Sequence, residues 1–227
     1  MGHRSLGRAW VAACALAECV GMTAAAGAGR GAAAIGSTGA AERTAAISVV
    51  VAGGLVEGLA LGTAQAAVLS RLLPRLRSRR YVLATVVVAG LGWAVGSLPQ
   101  VLSTDSGASP PVGLVVLGGA GIGVVTGPLL GGVQALALRG AVADPARWVP
   151  ANLLAWPAAM ALIFLGAGLP GADWSLPAVL VTGAATGAAA GGVLGAVTRR
   201  WLPGGAAGMQ VISPALARRM GEQLKRG

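Results

Sequence analysis

Two glutamates are candidate chemical groups because each lies in the middle of a long apolar run. Glu18 is near the centre of a run from about 9 to 28, and Glu57 is near the centre of a run from about 46 to 70. A carboxylate at mid-bilayer costs roughly 2.5–3.5 kcal/mol if ionised, so such groups are functional candidates. A short connector makes the runs antiparallel neighbours, and the pair would be able to share a proton or bind a cation. The alternative is a protonated glutamate bonded to backbone or to a Gln, Thr or Ser side chain.

Four further polar residues lie in apolar runs. At 100° per residue, Gln65 and Gln134 project from the glycine-bearing faces of their helices. Thr126 and Thr186 occupy the positions equivalent to Glu57 in an internal repeat described below. Hydrogen bonds between helices are the commoner role of such groups in membranes. The alternative that stays open is a pore-lining or substrate-facing role.

Other chemistry finds little support in the residues. A nucleophile and base pair needs a histidine or an equivalent base, and the single histidine, His3, is in the N-terminal tail. Cys14 and Cys19, the two cysteines, point in different directions around a helix, which predicts neither a disulfide nor a metal site. The glycine-rich stretch 118–123 lacks the following G-K-[ST] of a phosphate loop. We therefore expect no enzyme activity, cofactor or metal.

The composition indicates that these groups lie in a membrane. The 227 residues are 55% hydrophobic and only 11% charged, against about 25% charged in soluble domains. Each apolar run is near the roughly 20 residues that a bilayer needs. The prediction is an all-α polytopic fold, residues 1–202, with a basic cytoplasmic tail, 203–227. Its six spans are about 9–28, 46–70, 81–102, 111–138, 149–169 and 177–198.

The net charge of +10 is explained by topology, because the basic residues cluster in alternate connectors. They are Arg4 and Arg8, then Arg71, Arg75, Arg77, Arg79 and Arg80, then Arg139 and Arg147, and finally Arg199, Arg200, Arg218, Arg219, Lys225 and Arg226. The positive-inside rule then predicts a bacterial-type plasma membrane protein with both termini in the cytoplasm. Nucleic acid is not an expected partner.

An internal repeat connects the even-numbered spans, each of which carries G-x-x-x-G-x-x-x-G. The glycines are Gly54, Gly58 and Gly62, then Gly123, Gly127 and Gly131, and then Gly183, Gly187 and Gly191. Such a stripe lets another backbone approach closely. The chain is predicted to form three helical hairpins, about 9–70, 81–138 and 149–198, with the even helices joined through their glycine faces around a pseudo-threefold axis or in a row. In the odd helices, Trp93, Trp156 and Glu18 are aligned as equivalent.

Three further expectations concern the ends of segments. Trp10, Trp148, Trp174 and Trp201 fall at span ends and are predicted to be interfacial anchors. The tail is predicted to begin a basic amphipathic helix at Ser213. The Ala24-Ala25-Ala26 stretch is a possible cleavage site for a signal peptide, but Glu18 within the apolar region argues against cleavage.

Two resemblances accompany these patterns. Gly58-x-x-x-Gly62-x-x-Gln65, a basic connector and Gly92-Trp93-x-x-Gly96 resemble a family of uncharacterised bacterial multi-pass proteins that repeat G-x-x-x-G-x-x-Q-x-x-x-L-R and G-W units. The pattern recurs at Gly127, Gly131, Gln134, Leu138, Arg139, Trp148, Asn152 and Trp156. That resemblance implies a fold and no activity. Residues 10–24, with Leu16-Ala17-Glu18-Cys19, resemble the first helix of small multidrug resistance exporters, which implies proton and drug binding at Glu18.

Two functions remain after these exclusions. The first is a non-enzymatic accessory or scaffold component that packs through its glycine faces, in the bilayer, against a membrane-protein partner or further copies of itself. The second is a small proton- or cation-coupled transporter or channel with Glu18 and Glu57 as its coupling site. A wet cavity that reaches both glutamates would favour transport, and dry, packed spans would favour the scaffold.

Overall fold

The predicted all-helical, six-span architecture is confirmed by the computed structural model, which describes residues 3–36, 38–102, 111–171 and 173–212. Its helices, each long and apolar enough to cross a membrane, are α1 (His3–Ile35), α2 (Ala40–Leu72), α3 (Ser78–Leu102), α4 (Val112–Leu138), α5 (Trp148–Ala167) and α6 (Leu176–Thr198). Short 3-10 turns precede α5 at Pro145–Arg147 and follow α6 at Arg199–Trp201. The connectors 73–77 and 139–147 lie at one end of the bundle, here called the arginine-rich end.

The first two helices are longer than the expected spans of 9–28 and 46–70. Each has 33 residues, or roughly 50 Å at 1.5 Å per residue, which exceeds the hydrocarbon core of about 30 Å. Alanine, the best helix former, carries both helices into the expected connector. Gly36, with a φ of 84°, ends α1, and the Glu42 carboxylate accepts from the Gly39 amide at the start of α2.

The six helices form a closed ring. Each helix packs against the helices before and after it in the chain, and α6 closes the ring by packing along α1. The outer surface is apolar: Leu83, Val87, Leu91 and Val95 recur every four residues on α3 and are all exposed. Such a surface is suited to contact with lipid, and polar side chains of the helices lie in the interior.

The glycine faces pack differently from the prediction that they would join even helices to one another. The α2 stripe meets α3, where a Cβ on Gly58 would lie 2.9 Å from Val86 Cα. The α4 stripe meets α5, and the α6 stripe meets α1, where a Cβ on Gly183 would lie 2.7 Å from the Met22 carbonyl oxygen. The tight pairs are therefore α2 with α3, α4 with α5 and α6 with α1. They are shifted by one helix from the predicted hairpins.

The packed structure continues beyond residue 202, where the basic tail was expected to begin. The Ala143 amide donates to the Gln210 carbonyl at 2.9 Å, and the Ile212 amide donates to the Ala141 carbonyl at 3.1 Å. Met209 is buried in the same contact. The segment up to residue 212 therefore folds back onto the connector between α4 and α5. The amphipathic helix predicted from Ser213 lies outside the described residues.

Candidate functional site: a buried polar core

The two glutamines meet inside the ring. Gln134 of α4 donates from Nε2 to the Gln65 Oε1 of α2 at 3.3 Å, and both side chains are buried. The same nitrogen lies 2.9 Å from the Thr85 hydroxyl oxygen of α3. Tyr81, also on α3, donates its hydroxyl to Gln65 Oε1 at 2.9 Å. The glutamines thus hold α2, α3 and α4 together.

Two buried tryptophans extend this network to the remaining helices. Trp148 of α5 donates its indole N–H to Gln134 Oε1 at 2.7 Å, and Trp10 of α1 donates to the Thr198 hydroxyl of α6 at 2.8 Å. The rings of Trp10 and Trp148 meet edge to face, with centroids 5.8 Å apart. Both were predicted to be interfacial anchors, and that prediction is wrong because both are buried with their N–H groups bonded inside the protein. Aromatic groups with a polar tip fill such an interior well.

The glycine contacts show which residues of the odd helices correspond. A Cβ added at the last glycine of each stripe would meet the Cβ of Thr85 at 3.1 Å, of Asn152 at 3.1 Å and of Glu18 at 2.8 Å. These three residues, all buried, therefore occupy equivalent places. The alignment of Trp93, Trp156 and Glu18 is wrong, because Trp93 lies at the first glycine of its stripe and Trp156 at the second. Matching the two indoles by residue type shifted that alignment by one helical turn.

Glu18 differs from the two equivalent residues, Thr85 and Asn152, in its hydrogen bonding. Thr85 donates its hydroxyl to the Tyr81 carbonyl at 3.0 Å. Asn152 donates to the Trp148 carbonyl at 2.9 Å and accepts from the Trp156 indole at 3.0 Å. Glu18 is 1% exposed, and neither of its carboxyl oxygens has a hydrogen-bond partner.

The side-chain amides of the core are bonded to other groups and none reaches Glu18. Gln134 bonds Gln65 and Thr85, and Gln65 donates from Nε2 to the Cys14 sulfur of α1 at 3.7 Å. In the repeat, Leu194 stands where α2 and α4 carry the glutamines, so α6 supplies no amide. An orphaned buried polar group in a native structure calls for an explanation, and a functional role is one class of explanation.

Glu57 is buried on the other side of the contact between α1 and α2. It accepts a hydrogen bond from the Trp93 indole of α3, and its side chain lies over Gly21, where an added Cβ would be 2.7 Å from Glu57 Cγ. Gly21 lies three residues after Glu18 on α1, so the two glutamates belong to the same part of the contact between α1 and α2. No ion pair in the described ranges involves either one, and Arg30, near the C-terminal end of α1, donates to the Trp174 carbonyl at 2.9 Å.

The two threonines at positions equivalent to Glu57 take no part in this core. Thr126 donates its hydroxyl to the Ile122 carbonyl at 3.0 Å, and Thr186 donates to the Thr182 carbonyl at 2.7 Å. Each bond lies within a single helix, so these hydroxyls do not form the expected hydrogen bonds between helices. Thr186 instead contacts α5 by packing on Gly166.

The core as built can hold helices together and can store a proton on a carboxyl group. Water does not reach the Glu18 oxygens, whose exposure is negligible. Within the ranges that the structure describes, His, Cys, Asp and Glu residues form no group of three that is able to hold a metal ion.

Sequence reasoning missed Tyr81, Trp10, Thr198 and Asn152 as members of the core. A signal was present, because Tyr81 is the single tyrosine of the chain and lies one helical turn before Thr85.

Comparison of the chain with models of protein families, with curated proteins and with solved structures finds no match. Its function is therefore inferred from the geometry of the core.

Proposed function

We propose that the protein is a non-enzymatic integral membrane protein that serves as an accessory or scaffold component. The observation that carries this proposal is the closed interior: the polar core bonds across the ring, and the Glu18 oxygens are sealed from water. Transport requires a path from water to the coupling group, whereas a scaffold requires one well-defined outer surface. Glycine contacts between backbones and hydrogen bonds across the ring both favour a single rigid arrangement.

The proposal includes a location and an orientation. The protein belongs in a bacterial-type plasma membrane with the arginine-rich end and both termini in the cytoplasm, because the basic connectors alternate with connectors that hold few charges. A reporter enzyme that is active only outside the cytoplasm tests this. Inserted at Thr38, between α1 and α2, it should be active, and fused after residue 212 it should be inactive.

The scaffold role is tested by site-specific photo-crosslinking in the native membrane. A photoreactive amino acid replaces one exposed residue on each of three faces: Leu16 on α1, Leu91 on α3 and Val125 on α4. The buried Leu61 is the control position. We expect one face to give a single adduct of defined mass, either with a partner or with a second copy of the chain. Adducts with lipid alone at all three faces would contradict the scaffold proposal.

A second candidate function rests on one specific observation. Glu18 and Glu57 are two buried carboxyls on neighbouring helices, and Glu18 has no hydrogen-bond partner. A proton- or cation-coupled transporter would use such a pair as its coupling site, after a rearrangement that opens the ring to water. The resemblance of residues 10–24 to the first helix of small multidrug resistance exporters supports the same role.

Carboxyl labelling distinguishes these two functions. A lipophilic carbodiimide reacts with protonated carboxyl groups that become accessible inside a membrane. The scaffold proposal predicts no adduct at Glu18 in intact membranes, whereas the partly exposed Glu42 should react with a water-soluble carbodiimide in the same sample. Labelling of Glu18 that a cationic solute prevents would favour the coupled transporter.

A further inference from the structure

A groove of about 520 Å³ runs along the outer surface between α2 and α3, on the side of the arginine-rich end. Its walls are apolar and are formed mainly by Leu59, Ala67, Leu83 and Val86. Leu59 and Leu83 are 54% and 62% exposed, so the groove opens outward, away from the polar core. An apolar groove at this place faces lipid tails.

The length of the groove matches one leaflet of a bilayer. It extends along α2 from Leu59, near the middle of the helix, to Ser70, close to the helix end. Eleven residues rise roughly 16 Å at 1.5 Å each, and one leaflet contributes roughly 15 Å of a hydrocarbon core of about 30 Å. A helix about 10 Å across and of that length would occupy roughly 1,200 Å³, which is more than twice the groove volume. A thin, extended chain fits better.

The end of the groove is polar and positively charged. Ser70, Ser78 and the exposed Arg79 line it there. The same connector region carries four further arginines, Arg71, Arg75, Arg77 and Arg80. None of these five arginines forms an ion pair with a carboxylate of the described residues. Arginine presents a planar fork of donors that suits phosphate oxygens.

We infer that the groove between α2 and α3 binds one anionic phospholipid, with an acyl chain between Leu59 and Val86 and the headgroup phosphate at Arg79. Charge selects the headgroup, because a basic residue near a membrane surface attracts anionic lipid. The length and volume of the groove favour an acyl chain. This site is separate from the glutamates, so it stands or falls independently of the function proposed above.

Native mass spectrometry tests the site directly. The full chain in neutral detergent is equilibrated with an equimolar mixture of phosphatidylglycerol and phosphatidylcholine, and the retained lipid is counted. We expect one phosphatidylglycerol to be retained in preference to phosphatidylcholine. Arg79→Gln should lower that preference about fivefold. Arg200→Gln, at the same end but after α6, removes the same charge and should leave the preference unchanged.

A steric variant and a headgroup competitor complete the test. Ala67→Trp adds a large side chain at an exposed position in the wall and should abolish retention of either lipid. A large excess of glycerol phosphate should not displace the lipid, since the acyl chain contributes to binding. The inference is overturned by equal retention of both lipids in the wild type, by equal effects of the two arginine variants, or by lipid that survives Ala67→Trp. Displacement by glycerol phosphate, or a lipid-free dimer, would overturn it as well.

Discussion

Replacing Glu18 with leucine should stabilise the protein, although the substitution removes a buried polar group. A buried polar group left unsatisfied costs about 1–3 kcal/mol, and neither Glu18 oxygen has a partner. Leucine is similar in volume and supplies apolar contact beside Gly191. We expect Glu18→Leu to raise the free energy of unfolding by about 1–3 kcal/mol.

The equivalent position in the second repeat provides a control of opposite sign. Asn152 bonds the Trp148 carbonyl and the Trp156 indole, so Asn152→Leu strands an indole N–H and should lower the free energy of unfolding by about 1–3 kcal/mol. Reversible unfolding in mixed micelles by titration with SDS, followed by tryptophan fluorescence, measures both variants. Destabilisation by more than about 1 kcal/mol in Glu18→Leu would refute the reasoning, since it would mean that Glu18 has a favourable partner.

The other two stability predictions concern α4. A Cβ at Gly131 would lie 2.9 Å from the Trp148 carbonyl oxygen, so Gly131→Ala should destabilise by about 1–3 kcal/mol in the same assay, while Gly132→Ala, where nothing lies within 4 Å, should be neutral. Equal effects would contradict the backbone contact. Gln134→Leu removes three hydrogen bonds and leaves the Trp148 indole N–H without an acceptor, so the free energy of unfolding should fall by about 2–4 kcal/mol. Thr126→Val should lower it by less than about 0.5 kcal/mol. A loss below about 1 kcal/mol for Gln134→Leu would show that the amide is not central.

The architecture followed from the sequence because apolar length and glycine spacing depend on one helix at a time. Six spans and three glycine stripes are visible in that way. The helix against which each stripe packs cannot be identified in that way, because it depends on how the ring closes. The fold places α6 against α1, a contact between the two ends of the described chain that short connectors do not suggest.

The polar core shows the same limit at the level of single residues. Gln65 and Gln134 were predictable, since an amide on a glycine-bearing face has few other partners in a membrane. Trp10 and Trp148 were assigned to the interface because an indole near a span end usually lies there. Their burial depends on acceptors from other helices, Thr198 and Gln134, which only the assembled ring supplies.

The lack of a hydrogen-bond partner for Glu18 could likewise not be predicted from the sequence of one helix. Its environment depends on α6, which lies far away in the sequence and packs on α1 only when the ring closes. Gly187 and Gly191 of α6 lie against Glu18, and this register between α6 and α1 is defined only in the assembled ring.

Proton flux in liposomes tests the central claim, a closed bundle with sealed glutamates, most directly. The wild type and Glu57→Gln are reconstituted with an internal pH dye, a pH gradient is applied, and a panel of cations and lipophilic amines is added. The closed core predicts no solute-dependent proton flux in the wild type and the same result in an equally stable variant. Flux in the wild type that is lost in Glu57→Gln would contradict the scaffold proposal and identify a coupled transporter.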